Sequence, residues 1–229
     1  MAVAVRPDLI AAHQAAWRAL GEPGSFFTGA QRVELARTAL AALTVAEPLA
    51  PWLAPSAVVG LLDELAGTQR RLAPEAAHDA AYRLARHAGT LTEGWYERTV
   101  VAIEPLAYVE LVALVCAVAA VESFRRSAGL QQWPLPAPAP GEPTGFVAAQ
   151  LSAAALNWVP VAAPADERAA VVQAFSALPV DNGRIWAMAD AQYIPDLEMV
   201  DPRWTRGTLT RPQMELVATR VAQIRECFF

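Results

Sequence analysis

Apolar positions in this chain recur at alternating spacings of three and four, segment after segment, and nowhere settle into strict alternation. The spacing predicts a helix over 8–20, with Leu9, Ala12, Ala16, Trp17 and Leu20 on one side and Gly21 and Pro23 as its stop. Thr28 with Gln31 forms a capping-box pattern, and a second helix follows through Val33, Ala36, Leu40 and Leu43 to the turn at Pro48 and Pro51. A third is expected over 56–71, with Val58, Leu61, Leu62 and Leu65 facing inward. Pro74 opens a fourth through Tyr82 and Ala85, ending near Gly89, and the segment holding Trp95, Tyr96, Val100 and Ile103 is aromatic enough to be core.

Pro105 starts the most hydrophobic helix, apolar all the way round between Leu111 and Val121, the pattern of a helix enclosed on every side. Cys116 in its middle is expected to be a buried structural residue with a raised pKa. Residues 131–146 contain five prolines and read as an extended linker. Beyond it, helices are expected over 146–156, 165–178 and 184–193. A final helix opens at Thr210, with Gln213 completing a capping box, Pro212 in the first turn, and a buried stripe of Met214, Val217, Val221, Ile224 and Phe228. The expected fold is all-α, with 109–121 the most buried helix and no sheet of more than two short strands. The expected organisation is an N-terminal helical part over 1–130, the linker over 131–146 and a C-terminal helical part over 147–229.

Composition narrows the function classes. The chain has 229 residues, 55% of them hydrophobic and 18% charged, so it can bury a sizeable core. All 18 basic residues are arginine, which excludes lysine Schiff-base chemistry and lysine-based phosphate loops. A net charge of −5 and the lack of a basic stripe give no reason to expect nucleic acid as a partner. The apolar run 111–121 is about half the ~20 residues of a membrane span and is bracketed by Glu110 and Glu122. With no signal-like N-terminus and two distant cysteines, the expectation is a soluble cytoplasmic protein without a membrane partner.

The text from Glu215 to Phe229, E-L-V-A-x-R-V followed by C-F-F, resembles the core motif of alkylhydroperoxidase D-like proteins in the carboxymuconolactone decarboxylase-like superfamily. In that motif a glutamate precedes the first cysteine of C-x-x-C by twelve positions, as Glu215 precedes Cys227. The second cysteine would be residue 230 and the motif histidine residue 234. LTEGWYERTV, YVELVALVCAVAAVESFRRSAGL and PLPAPAPGEP are similar to the N-terminal half of two-repeat members. The resemblance implies an all-helical alkylhydroperoxidase D-like fold, homo-oligomers, an unidentified thiol reductant and no bound cofactor or metal. It also implies a thiol peroxidase or reductase in which Cys227 is the resolving thiol and Glu215 the proton-relay acid, with the attacking residue absent from the chain as written. Two explanations stay open for the end at Phe229: a genuine or truncated C-terminus, or a reading cut at the codon of a C-x-x-selenocysteine protein. Little peroxidase activity is expected of the chain as written.

The V/M-E-L sites at Glu34, Glu110 and Glu215 suggest a degenerate internal repeat. Twelve residues beyond Glu110 and Glu34 stand Glu122 and Ala46, so neither of those copies retains the thiol. An acid in a first helical turn also accounts for such a motif without any site. Unbroken helix would hold Glu215 about 18 Å from Cys227, so a relay between them needs a turn at Arg225 and Glu226. The reading from a different class is a non-catalytic helical protein that binds a ligand or assembles.

Overall fold

Proline and threonine punctuate the helices of this computed structural model, which describes residues 4–67, 71–153, 157–164, 170–193, 198, 200–205 and 207–224. Helices α1 (Pro7–Ala19), α3 (Pro55–Ala66) and α6 (Pro105–Ser127) each carry proline in the first turn, where the missing N–H costs no hydrogen bond. Helix α2 (Gly29–Thr44) starts at a complete capping box between Thr28 and Gln31. Pro74 precedes α4 (Glu75–Arg86), and the Thr92 hydroxyl accepts the Trp95 N–H at the start of α5 (Glu93–Ile103). Short elements follow: β1 (Leu151–Ala153) antiparallel to β2 (Pro160–Ala162), then α7 (Ala170–Gln173), α8 (Pro179–Gln192) and α9 (Arg211–Ile224). The protein is mostly helical with one two-stranded sheet among the described residues.

The core lies where α4 packs against α2, α3 and α6. Ala36, Ala39 and Ala42 of α2 and Ala77, Ala80 and Ala81 of α4 are all fully buried, so small side chains let the helices approach closely. Larger groups, among them Tyr82, Leu35, Leu111, Leu114 and Val118, fill the remaining space. Residues up to Met188 form one compact unit, and those from Ala189 form a second.

Three expectations change. Residues 151–153 are a strand where a helix was expected, and from Ala170 onward the helix lasts four residues before turning; these apolar runs are too short for periodicity to separate the two states. Helix α6 is not enclosed on every side: Cys116 is exposed, and Val112, Ala119 and Ala120 on the same stripe are only partly buried. Helix α9 forms, with the Thr210 N–H donated to Gln213 Oε1 at 2.8 Å, but none of its described residues is buried and Val217, Val221 and Ile224 are exposed. A unit of about 40 residues has little apolar surface with which to cover its own helix. Phe228, the last position of the expected stripe, lies outside the described residues.

Helix α6 is also long and apolar enough to cross a membrane, with a mean hydropathy of 1.9 over its best 18 residues, more than the run 111–121 alone suggests. Two thirds of that window is buried inside the fold, the signature of a central core helix.

The proline-rich segment 131–146 is a strap that lies within the first unit. Pro134 O accepts the Trp17 indole N–H at 2.8 Å, Ala139 N–H is donated to Gly21 O at 2.8 Å, and Thr144 N–H to Gly24 O at 2.9 Å. Trp133 at its start stacks under the Arg125 guanidinium, 3.9 Å from the ring centroid. With five of its sixteen residues unable to donate, the segment forms no regular element of its own and bonds instead to α1 and to the loop between α1 and α2.

Candidate functional site

The V-E-L glutamates of α2 and α6 perform the same structural task. Glu110 is fully buried, accepts the Phe26 N–H at 2.6 Å and forms an ion pair with the buried Arg32. Glu34 accepts the Leu72 and Ala73 N–H groups at 2.9 and 3.1 Å and faces His78 Nε2 at 3.5 Å. Each glutamate thus holds the backbone just before the next helix it packs on, two residues ahead of Thr28 and one or two ahead of Pro74. Each also meets a basic side chain four residues beyond that cap, Arg32 or His78. His78 is oriented in turn by a 2.8 Å hydrogen bond between Nδ1 and the Thr38 hydroxyl. Asp181 of α8 joins the first pair, 3.4 Å from Arg32 Nη2 and 3.7 Å from Arg184 Nη1.

The two carboxyls titrate in opposite directions. Burial pushes Glu110 up and the nearby Asp181 charge adds to this, while Arg32 and the Phe26 N–H oppose it; the net shift is upward. Burial pushes Glu34 up as well, but the contact with His78 and the Leu72 and Ala73 N–H groups outweigh it, and this carboxyl falls below its ordinary value. A raised carboxyl favours folding below its unfolded pKa and loses that advantage as pH rises through the folded one; a lowered carboxyl does the reverse. Chemical denaturation between pH 4 and 7 is therefore expected to show the cost of Glu34→Gln growing with pH and the cost of Glu110→Gln shrinking.

Of the residues that the resemblance singles out, Glu215 lies among the described residues. Glu215 is exposed in the second turn of α9, with Arg211 Nε donating to its Oε1 at 2.5 Å, an i,i+4 surface pair. Cys227, Arg225 and Glu226 lie outside the described residues. Cys116, expected to be buried, reaches solvent, yet enough protein surrounds it to push its thiol up to about 11. The raised pKa keeps most of the thiol protonated near neutral pH, so Cys116 should alkylate slowly for an exposed cysteine, with a rate that keeps rising above pH 9. Mass-spectrometric labelling across pH 7–10 checks this; a plateau near pH 8.5 contradicts it.

One turn before Cys116, α6 forms the wall of a cavity of about 370 Å³. Tyr108, Val109 and Val112 line one side; Leu84, the segment Asn157–Val159, Ala174 and Phe175 line the rest. Tyr108 is seated edge-on between Trp95 and Tyr96, at centroid distances of 6.1 and 5.1 Å, and Trp158 lies 5.9 Å from Tyr96. Tyr108 is only 6% exposed, and none of the described groups hydrogen-bonds its hydroxyl. Burial first, then the neighbouring Tyr96 and Cys116, hold its pKa well above the ordinary phenol value, so it remains a neutral O–H donor at any working pH. Asn157 spends Nδ2 on Ala170 O at 3.1 Å.

Aromatic content marks Trp95 and Tyr96 as core residues, but nothing in the sequence groups Tyr108, Asn157 and Trp158 with them. Nor does the sequence group Arg32, Gly24 and Asp181 around Glu110. Comparison of the chain with protein-family models, with curated proteins and with solved structures returns no match in any of the three.

Proposed function

We propose that this is a helical ligand-binding protein whose site is the cavity beside Tyr108, and that its ligand is a small, largely apolar molecule bearing one hydrogen-bond acceptor. The observation that carries this reading is Tyr108 in the cavity lining, its hydroxyl bonded by none of the described groups, within an aromatic and aliphatic wall around about 370 Å³. A ligand carbonyl or ether oxygen accepting from the phenol would contribute about 0.5–1.5 kcal/mol, the net value of such a hydrogen bond. The cavity volume lies within the roughly 300–1,000 Å³ usual for small-molecule sites. Acetophenone and ethylbenzene, matched in shape but not in the acceptor, separate the contributions of area and hydrogen bond. Quenching of tryptophan fluorescence is expected to show tighter binding of the ketone. Tyr108→Phe should weaken the ketone by about fivefold and leave the hydrocarbon unchanged. Equal affinities of the two compounds, unaffected by Tyr108→Phe, would exclude the phenol as the recognition group.

The thiol-peroxidase reading rests on Glu215 and Cys227 by resemblance and on no distance between them. Peroxide consumption with dithiothreitol as reductant decides it: turnover lost in Cys227→Ser and in Glu215→Gln would favour the peroxidase over a pure binding protein.

A further inference from the structure

A second cavity, of about 410 Å³, is lined by Pro51, Trp52, Asp79, Arg83, Trp95 and Arg98 among others. Two features set its chemistry. The first is aromatic: Trp52 is 82% exposed, the most exposed aromatic residue among the described residues, and it shares this cavity with Trp95. An indole left in water is the kind of group that gains most from a flat apolar partner.

The second is charge. Arg83 donates through Nε to both Asp79 oxygens at 2.8 Å and through Nη2 to Leu53 O, so Asp79 is neutralised and the Trp52 segment is tied to α4. Arg98 stands one turn beyond Trp95 on α5, lines the same cavity and makes no hydrogen bond or ion pair with any described residue. Of the charges lining the cavity, Arg83 and Asp79 cancel and the exposed Arg98 guanidinium remains, a planar donor that shares the lining with two indoles.

We infer that this cavity is a second binding site, for a small flat aromatic carboxylate whose ring lies against Trp52 and Trp95 and whose carboxylate is held by Arg98. A guanidinium fork matches a carboxylate in two parallel hydrogen bonds, and the tryptophan faces accept the ring. The site is separate in composition from the Tyr108 cavity, which has no charged lining residue among the described residues. The inference does not depend on the ligand-binding role proposed for that cavity.

Titration calorimetry with 2-naphthoate and its neutral analogue 2-naphthamide tests it on the full chain, with thermal melts confirming that each variant is folded. Naphthoate is expected to bind, and the amide about tenfold more weakly. Arg98→Gln should weaken naphthoate by about the same factor without changing the amide. Trp52→Ala should weaken both, and Tyr108→Phe neither. No binding of naphthoate, equal binding of acid and amide, or an unchanged affinity in Arg98→Gln overturns the inference. Loss of naphthoate binding in Tyr108→Phe would place the compound in the first cavity and equally overturn it.

Discussion

Gly24→Ala is expected to be among the most damaging single substitutions in the protein, costing about 3–5 kcal/mol, the range for disrupting a buried ion pair. A Cβ at this position would stand 1.9 Å from Glu110 Oε1 and 2.6 Å from Arg32 Nη1, so backbone, carboxylate or guanidinium must move. None can do so cheaply. The backbone here accepts the Thr144 N–H of the strap, and both side chains are buried in their pair. Gly60→Ala supplies the contrast: nothing lies within 4 Å of its Cβ position on α3, and there the substitution should stabilise by about 0.4–1 kcal/mol. Thermal melts of the two variants should shift in opposite directions, and a neutral Gly24→Ala would mean that the loop does not rest on the ion pair.

The second large effect is expected at Arg32. Arg32→Met removes the one cation shared by Glu110 and Asp181 and leaves two buried carboxyls facing each other, a loss again of about 3–5 kcal/mol. Arg32→Met combined with Glu110→Leu should recover much of it, because Asp181 keeps Arg184 within 3.7 Å and no buried charge is left without a partner. Such non-additivity is what a double-mutant cycle measures between residues in contact. Additive losses would show that Glu110 is held by the Phe26 N–H and its packing and not by Arg32.

Helices α1 to α4 and α6 were legible in the sequence because their ends are written locally: Thr28 with Gln31, and Pro7, Pro55, Pro74 and Pro105 at or before first turns, whereas the α5 segment reads only as aromatic core. Between 147 and 178 the apolar runs are short, and tertiary context decided between strand, turn and helix. Apolarity all round α6 could not reveal that the Val112 and Cys116 stripe meets solvent, because alanine, valine and cysteine fit either environment. The repeated V-E-L text at Glu34 and Glu110 did mark a shared feature, and the structure gives it a mechanical meaning as a pair of helix-start anchors. Their partners were invisible: Arg32 and Asp181 are 149 residues apart, and nothing local to Gly24 announces a carboxylate against it. The Tyr108 cavity is built from α4, α6 and two segments beyond the strap, and no periodicity connects these.

The ligand site is tested most directly by filling it. Val112 lines the cavity and is only partly buried, so Val112→Trp places an indole in the space without displacing a core side chain. Calorimetric titration of acetophenone into the wild type and into a folded Val112→Trp variant is the decisive measurement. Binding to the wild type that is abolished by the filled cavity is the expected result. Equal binding to both proteins, or none to either, would contradict the assignment of the Tyr108 cavity as the ligand site.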